Sequence, residues 1–325
     1  MPATLTVISE ATTARLATMG DAVEACRIAL SDLAGGVASL SNPAAMFLSG
    51  PQETDTHFKV KGGSVPTLRA LGFRMIGDVG RDGAGGEHHW CYMLDPTTAR
   101  PLALVAQTHI HRLRTAASGL LAARLLSGVA APRVALIGAG RIGTCLAAGF
   151  REVFPDGRLT VASRRLSSAT AAADAAGEGV TAASIPEAVA DADVVIALST
   201  ADEPVLDPLA FRPGMTVIGM GENHELPAAL LAAADRFVVD DLGYATTLGS
   251  ISAWVRRGET TPDALQARLS ASLGEVLADP ARGRRTATER VLAVVQGLAI
   301  ADLALAEICR RRAESAGAGR SVSLD

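Results

Sequence analysis

The chain has 325 residues, 49% of them apolar and 20% charged, with a formal charge of −4. That length and apolar content supply two hydrophobic cores and exclude a disordered polymer. Acidic and basic residues are mixed along the chain, without the basic footprint that nucleic acid or an anionic membrane requires, so small-molecule chemistry is the better expectation.

The N-terminal part opens with a helical stretch, residues 11–33. Glu10 and the lack of a basic segment ahead of a long apolar run make it a poor secretion signal. Cys26, Cys91, Cys145 and Cys309 form no CxxC pair, which argues against a disulfide framework or a zinc site and fits reduced thiols in a cytoplasm. Strand-like pieces follow at 45–48, 57–60, 72–76 and 90–94, with residues 80–86 read as a mobile loop, and 113–126 reads as a connecting helix. From Pro132 onward, β-branched runs at 133–137, 159–162, 194–198, 215–218 and 237–239 alternate with helical stretches at 144–150, 167–176, 185–190 and 227–234. This is the pattern of an α/β fold with a doubly wound parallel sheet. Residues 291–308 contain Gln296, Gly297, Asp302 and Glu307 and read as a buried helix rather than a membrane span. Residues 315–325 read as a loosely held terminus.

Gly138-Ala139-Gly140-Arg141-Ile142-Gly143 follows one strand directly and opens the next helix. Glycine serves there for the tight turn, for close approach of backbone to a pyrophosphate, and for helix–strand packing, while the helix N-terminus offers unpaired N–H groups to the phosphates. A lone GxGxxG is weak; its place between a strand and a helix makes it a Rossmann signature, with a nucleotide fold lacking its ligand as the bland alternative. Gly138, Gly140, Arg141, Ile142 and Gly143 are thus cofactor-binding candidates. About 20 residues on, where a carboxylate would hold the ribose hydroxyls of NAD, the chain reads Ser163-Arg164-Arg165. A hydroxyl and two guanidiniums suit a 2′-phosphate, so NADP is expected over NAD, although surface arginines at a strand end are also commonplace. Ser199 and Thr200 leave the carboxyl end of a later strand, where open α/β sheets place ligands, and read as cofactor contacts or as a capping loop.

Several segments in order resemble the ornithine cyclodeaminase and mu-crystallin family, which includes archaeal alanine dehydrogenase and ketimine reductases. They are Leu94-Asp95-Pro96 with Pro101-Leu102-Ala103-Leu104, then Leu113-Arg114-Thr115-Ala116-Ala117, then Gly297-Leu298-Ala299-Ile300-Ala301-Asp302. The resemblance spans nearly the whole chain. It implies a homodimer, with residues 1–113 and 290–325 forming an α+β substrate and dimerisation domain and residues 114–289 forming the Rossmann NADP-binding domain. It also implies that Arg114 holds the substrate carboxylate, which suits a planar guanidinium; a structural pairing with Asp95 or Glu87 is the alternative. Thr115 and Met220 complete the implied cofactor set.

Two positions depart from the family pattern. Its Gly-x-Lys reads Gly72-Phe73-Arg74 here, and arginine stays protonated at neutral pH. The only lysines, Lys59 and Lys61, stand two apart just upstream and would share one face of a strand. Lys61 and Arg74 are therefore catalytic candidates and Lys59 a substrate-binding one, unless the segment is a solvated surface strand. The aspartate that cyclodeaminases carry after the fifth Rossmann strand is missing from Val217-Ile218-Gly219-Met220-Gly221-Glu222-Asn223-His224-Glu225-Leu226. Glu222 or His224 becomes a candidate general acid or base, or the loop merely caps the next helix. His88, His89, His109 and His111 show no metal-ligand spacing, and no metal is expected.

Cyclodeamination needs a proton shuttle and an acidic anchor for the distal ammonium, and both expected groups are altered. Simple hydride transfer asks for less. The leading expectation is an NADP(H)-dependent oxidoreductase acting on the C–N bond of an α-imino or α-amino acid. The alternatives are an ornithine or lysine cyclodeaminase with relocated catalytic groups, and a non-catalytic, crystallin-like NADP-binding protein.

Overall fold

The computed structural model describes residues 4–50, 56–79 and 86–324. Its chain falls into two compact units, Met1–Arg114 with Leu298–Asp325, and Thr115–Gly297.

The first unit starts with β1 (Thr4–Ile8), α1 (Glu10–Leu16) and α2 (Met19–Ala34). Thr18 and Asp21 cap α2 reciprocally, and Met19, Ala22, Val23, Cys26, Ala29 and Leu30 recur at helical spacing as its buried stripe. Two short strands, β2 (Ser39–Leu40) and β3 (Met46–Ser49), precede β4 (Thr56–Val65), β5 (Ala70–Val79), β6 (Gly86–Leu94) and β7 (Pro101–Ala106). Residues 80–85 of the expected loop lie outside the described residues, while Gly86 already belongs to β6. Side chains on β5 alternate strictly, with Ala70, Gly72, Arg74 and Ile76 buried. An arginine therefore occupies a core-facing position, which sets up the site described below. Helix α3 (Thr108–Leu126) begins before the expected residue 113, because the carboxylate of Glu10 accepts the backbone N–H groups of Thr108 and His109.

The second unit alternates strand and helix: β8 (Arg133–Ile137), α4 (Arg141–Val153), β9 (Arg158–Ala162), α5 (Leu166–Ala176), β10 (Val180–Ala183), α6 (Ile185–Ala190), β11 (Val194–Ala197) and β12 (Thr216–Gly219). It continues with α7 (Ala229–Ala233), β13 (Arg236–Val239), α8 (Leu242–Ala245), α9 (Gly249–Arg256), α10 (Pro262–Arg268), β14 (Leu269–Ser272), α11 (Leu273–Ala278) and β15 (Val291–Val294). The sheet runs β10-β9-β8-β11-β12-β15-β13-β14, and every pairing in it is parallel. Successive residues Val134, Ala135, Leu136 and Ile137 are all buried, so both faces are covered. The order reverses between β8 and β11, which opens a crevice at their carboxyl ends.

The buried helix expected over 291–308 is wrong in its first part. Val291–Val294 is a strand, buried at every residue and inserted between β12 and β13. A short continuous apolar run has no periodicity to separate strand from helix. The boundary expected at residue 290 moves with it, to Leu298. The edge strands β10 and β14, rich in Ala, Ser and Thr, also carried no strand signal.

The chain then completes the first unit with α12 (Ala299–Ser315) and β16 (Arg320–Ser323). Its sheet runs β16-β1-β7-β6-β5-β4-β2, with β3 also paired to β4, and only β1 and β7 are parallel neighbours. The tail expected to be loose is thus tied down as a strand, pairing Thr4 with Ser323 and Val7 with Arg320. Helix α12 packs closely on β4: a Cβ at Gly63 would lie 2.7 Å from Ile300 Cγ2. That approach brings Asp302, in the first turn of α12, down onto the sheet.

Candidate active site

In the first unit, the antiparallel registers place Lys61 opposite Arg74 and Arg74 opposite Cys91. Asp302 joins this row from α12. It accepts a hydrogen bond from Arg74 Nη1 at 2.8 Å, one from Arg114 Nε at 2.8 Å, and a third from Gln107 Nε2. Arg74, Arg114, Lys61 and Asp302 are 1%, 2%, 6% and 0% exposed, so the carboxylate and the two guanidiniums bonded to it are out of contact with water, with Lys61 buried opposite Arg74. A buried guanidinium is costly unless its N–H groups are met, which makes this row a place for an anion. Nε and Nη2 of Arg74 are buried without a hydrogen-bond partner among the described residues. His111 Nδ1 accepts from Arg114 Nη2 at 2.9 Å, so its proton sits on Nε2. Burial, and then the charges of Arg74, Arg114 and Lys61, push the His111 pKa well below its ordinary value and keep the ring neutral.

The expected alternative partners of Arg114 are engaged elsewhere. Glu87 pairs with Arg112, and Asp95 caps its own turn through the N–H groups of Thr97 and Thr98. Lys59 shares the Lys61 face by strand alternation, but its ammonium lies over the Phe47 ring, 5.9 Å from the centroid. On β6, His88 points outward and His89 inward; His89 Nε2 is 2.8 Å from Asp78 Oδ1. Asp78, Glu87 and His89 bring ligand-type atoms within 4.8 Å of one another, a grouping that sequence spacing did not reveal. Arg112 on Glu87 and His89 on Asp78 pair that grouping within the protein.

In the second unit, Gly138 has φ of 137°, and a Cβ there would lie 2.7 Å from the carbonyl carbon of Leu198. A Cβ at Gly143 would lie 2.9 Å from the carbonyl carbon of Gly138. Gly140 differs: it is the N-cap of α4, and nothing lies within 4 Å of its missing Cβ. The residues thus fit a dinucleotide, with tight packing behind the turn and open space at the helix N-terminus, where Arg141 is exposed and Ile142 half-buried. Thr115 is buried early in the unit's share of α3. Arg164 and Arg165 are exposed at the end of β9 and make no ion pair among the described residues. The Ser163 hydroxyl, expected to face a phosphate, donates instead to the Arg165 carbonyl at 2.6 Å.

The loops after β11 and β12 are joined by Glu225, which sequence reasoning had not singled out. Its Oε2 accepts from Ser199 N at 2.8 Å and Ser199 Oγ at 2.9 Å, and its Oε1 from Met220 N at 2.9 Å and Gly221 N at 2.6 Å. Complete burial raises its pKa, against the lowering effect of these bonds. The Thr200 carbonyl accepts from Asn223 Nδ2 at 3.2 Å. Glu222 is exposed. His224 is buried, with Nδ1 3.9 Å from Glu203 and Nε2 4.0 Å from Glu259. Asp240, at the end of β13, accepts from Gly297 N at 2.6 Å, and burial pushes its pKa up to about 6. A cleft of about 570 Å³ lined by Arg133, Arg151, Asp156 and Arg158 lies at the opposite, amino ends of β8 and β9, away from the glycine turn.

The chain is 28% identical over 235 residues to alanine dehydrogenase of Archaeoglobus fulgidus, covering 70% of this chain and 71% of the relative. It is 30% identical over 238 residues to an NAD(P)H-dependent anabolic L-arginine dehydrogenase of Pseudomonas aeruginosa, covering 68% and 71%. In fold it is similar to Thermococcus litoralis Δ1-pyrroline-2-carboxylate reductase in complex with NADH and L-proline, with a TM-score of 0.86 at 22% identity, covering 98% of this chain and 100% of that one. The family model for ornithine cyclodeaminase/mu-crystallin matches residues 7–317, and the chain belongs to that family.

Proposed function

We propose that the chain is an NADP(H)-dependent oxidoreductase working at the C–N bond of an α-imino or α-amino acid. NAD(P)-dependent oxidoreduction is the class of its family relatives; the substrate and the preference for NADP are our reading. The observation that carries it is the buried Arg74, held at Nη1 by Asp302 beside Arg114 and opposite Lys61, with its Nε and Nη2 unmet among the described residues and suited to a substrate carboxylate.

When bound, the nicotinamide supplies the hydride. The chain's own residues do the rest. Arg114, fixed by Asp302 and His111, clamps the carboxylate in one orientation. The lysine of the family pattern is replaced by Arg74, but Lys61 stands directly across the strand pair from it, so an amine is still supplied next to the position it left. In the second unit, Gly138, Gly140, Gly143 and the start of α4 hold the pyrophosphate, and Arg164 and Arg165 receive the 2′-phosphate. Exposed Met46, Phe47 and Leu48 on β3 favour a homodimer built on the first unit. Among the described residues no helix is long and apolar enough to cross a membrane.

The test is consumption of NADPH, followed by its absorbance, with a cyclic ketimine acid such as pyrroline-2-carboxylate. Substituting Arg164→Ala together with Arg165→Ala is expected to lower the preference for NADPH over NADH by about tenfold, as befits the loss of charge-assisted phosphate contacts. No consumption, with ammonia release from ornithine or lysine, rejects the reductase in favour of a cyclodeaminase. Binding of NADPH without turnover across an amino acid panel makes the chain a crystallin-like binder.

A further inference from the structure

The clamp and the cofactor turn leave one role unfilled, transfer of the proton to and from the substrate nitrogen. Arginine cannot give up a proton at neutral pH. His111 cannot serve as the acid either, because Nδ1 is bonded to Arg114 and burial among cations keeps the ring neutral. Besides the amine of Lys61 and the thiol of Cys91, which burial pushes up, a further titratable group lies beside the cluster and is itself backed by a carboxylate. His89 is 3% exposed, and its ring packs edge-on to that of His111 with centroids 5.3 Å apart. It lies two residues from Cys91, the cross-strand partner of Arg74, on the same buried face of β6. Its Nε2 is held at 2.8 Å by Asp78, and its Nδ1 is buried without a hydrogen-bond partner among the described residues.

We propose that His89, oriented by Asp78, is the acid–base group of the site, giving a proton from Nδ1 to the substrate nitrogen during reduction and taking it back during oxidation. This assignment rests on the reading of the preceding subsection. As the imine carbon receives the hydride supplied by reduced nicotinamide, the C=N π pair passes to nitrogen and forms the new N–H bond with the proton leaving Nδ1. The nicotinamide is oxidised, the imine carbon is reduced, and His89 is left neutral with its Nε2–H still donated to Asp78. Asp78 is partly exposed, with 23% of its side chain open, so the dyad can recover a proton from water.

The charges around the ring suit this role. Asp78 is hydrogen-bonded to it, and Glu87 brings a second carboxylate within 4.8 Å, itself paired with Arg112. Against them stand Arg74 and Lys59, whose fields reach Asp78, and Arg114 beyond His111. The direct contact is the Asp78 carboxylate, 2.8 Å from Nε2, and it fixes the ring with Nδ1 on the side away from that bond. The arrangement is the acid–base dyad logic of a ring nitrogen oriented by a carboxylate on its other side.

The experiment starts from wild-type reduction of pyrroline-2-carboxylate with NADPH. His89→Gln keeps a donor for Asp78 but removes Nδ1. It is expected to lower kcat by about 100-fold or more, with KM and NADPH affinity little changed and partial rescue by added imidazole. Asp78→Asn, which spares the ring, is expected to change the pH profile of kcat with KM little changed, because the carboxylate that holds Nε2 is gone. In the cofactor-free wild-type protein, the ring ¹⁵N signals of His89 are expected to move when proline, the cyclic product, is added. If wild type reduces the imine while His89→Gln keeps its kcat within about twofold and the pH profile is unchanged, or if proline leaves the His89 signals in place, the assignment is overturned and the reductase stands. If wild type reduces no imino acid, both fall together.

Discussion

Glu225 in the second unit and Asp302 in the first are both buried among hydrogen-bond donors, and the two are used in opposite ways. Glu225 is surrounded by backbone N–H groups and one hydroxyl, donors that carry no net charge. Burial raises its pKa, and its effect is mechanical: the ends of β11 and β12 are pinned together. Asp302 accepts from two guanidiniums, those of Arg74 and Arg114. There the carboxylate fixes one edge of each and leaves Nε and Nη2 of Arg74 unmet among the described residues, which is what a receptor for an anion needs. A buried acid thus reads as a positioning device or as a partial counter-ion according to whether its donors are amides or cations.

Two near-isosteric substitutions test that contrast most sharply. Asp302→Asn keeps the shape but removes the charge that pairs with Arg74 and Arg114, and it should destabilise the fold by about 3–5 kcal/mol, as for a broken buried ion pair. Glu225→Gln removes a charge that its neighbours do not require and keeps one accepting oxygen, so the cost should be nearer 1–3 kcal/mol, as for lost hydrogen bonds. Urea denaturation of both variants reads the difference. Equal costs, or a larger one for Glu225→Gln, would break the comparison.

A second pair separates packing from recognition inside the glycine turn. Gly138→Ala sets a side chain against the Leu198 carbonyl at a φ of 137°, at a cost of about 1–3 kcal/mol from backbone conformation alone. Gly140→Ala meets nothing within 4 Å at a φ of −80°. Its melting temperature should stay that of wild type, while NADPH titration shows weakened binding, because the new methyl fills the space kept for the pyrophosphate. Unchanged nucleotide affinity in Gly140→Ala would remove the turn from the binding site.

The two units also differ in how much of them the sequence disclosed. The glycine turn is local: strand, turn and helix are contiguous, so Gly138 to Gly143 could be identified from spacing. The Asp302 cluster is not, since Arg74 and Asp302 are 228 residues apart, and no periodicity links a residue on β5 to the first turn of α12. Arg114 was reached only through family resemblance, and its true partner was missed in favour of Asp95 or Glu87. His89 was passed over because adjacency to His88 says nothing about facing, until strand alternation turned one inward and the other out. Val291–Val294 was misread for a related reason: full burial on both faces erases the alternation that marks a strand.

The last expected effect is a pH slope and concerns Asp240, the remaining buried acid at the carboxyl edge of the second sheet. Its carboxylate holds the N–H of Gly297 at 2.6 Å, yet desolvation outweighs that bond and raises its pKa from 3.8 to about 6. Between those values the folded chain binds a proton that the unfolded chain has already released. The stabilisation this brings is fully present below pH 3.8 and is lost as pH rises through about 6. Asp240→Asn keeps an oxygen for Gly297 but cannot ionise, so the fall in stability across that window should be shallower than in wild type when denaturant midpoints are compared at successive pH values. Glu225, also raised, leaves a residual slope in the variant. Parallel slopes in the two proteins would mean that Asp240 is ionised at no greater cost folded than unfolded, and that its bond to the Gly297 amide compensates its burial in full, as those that hold Glu225 do not.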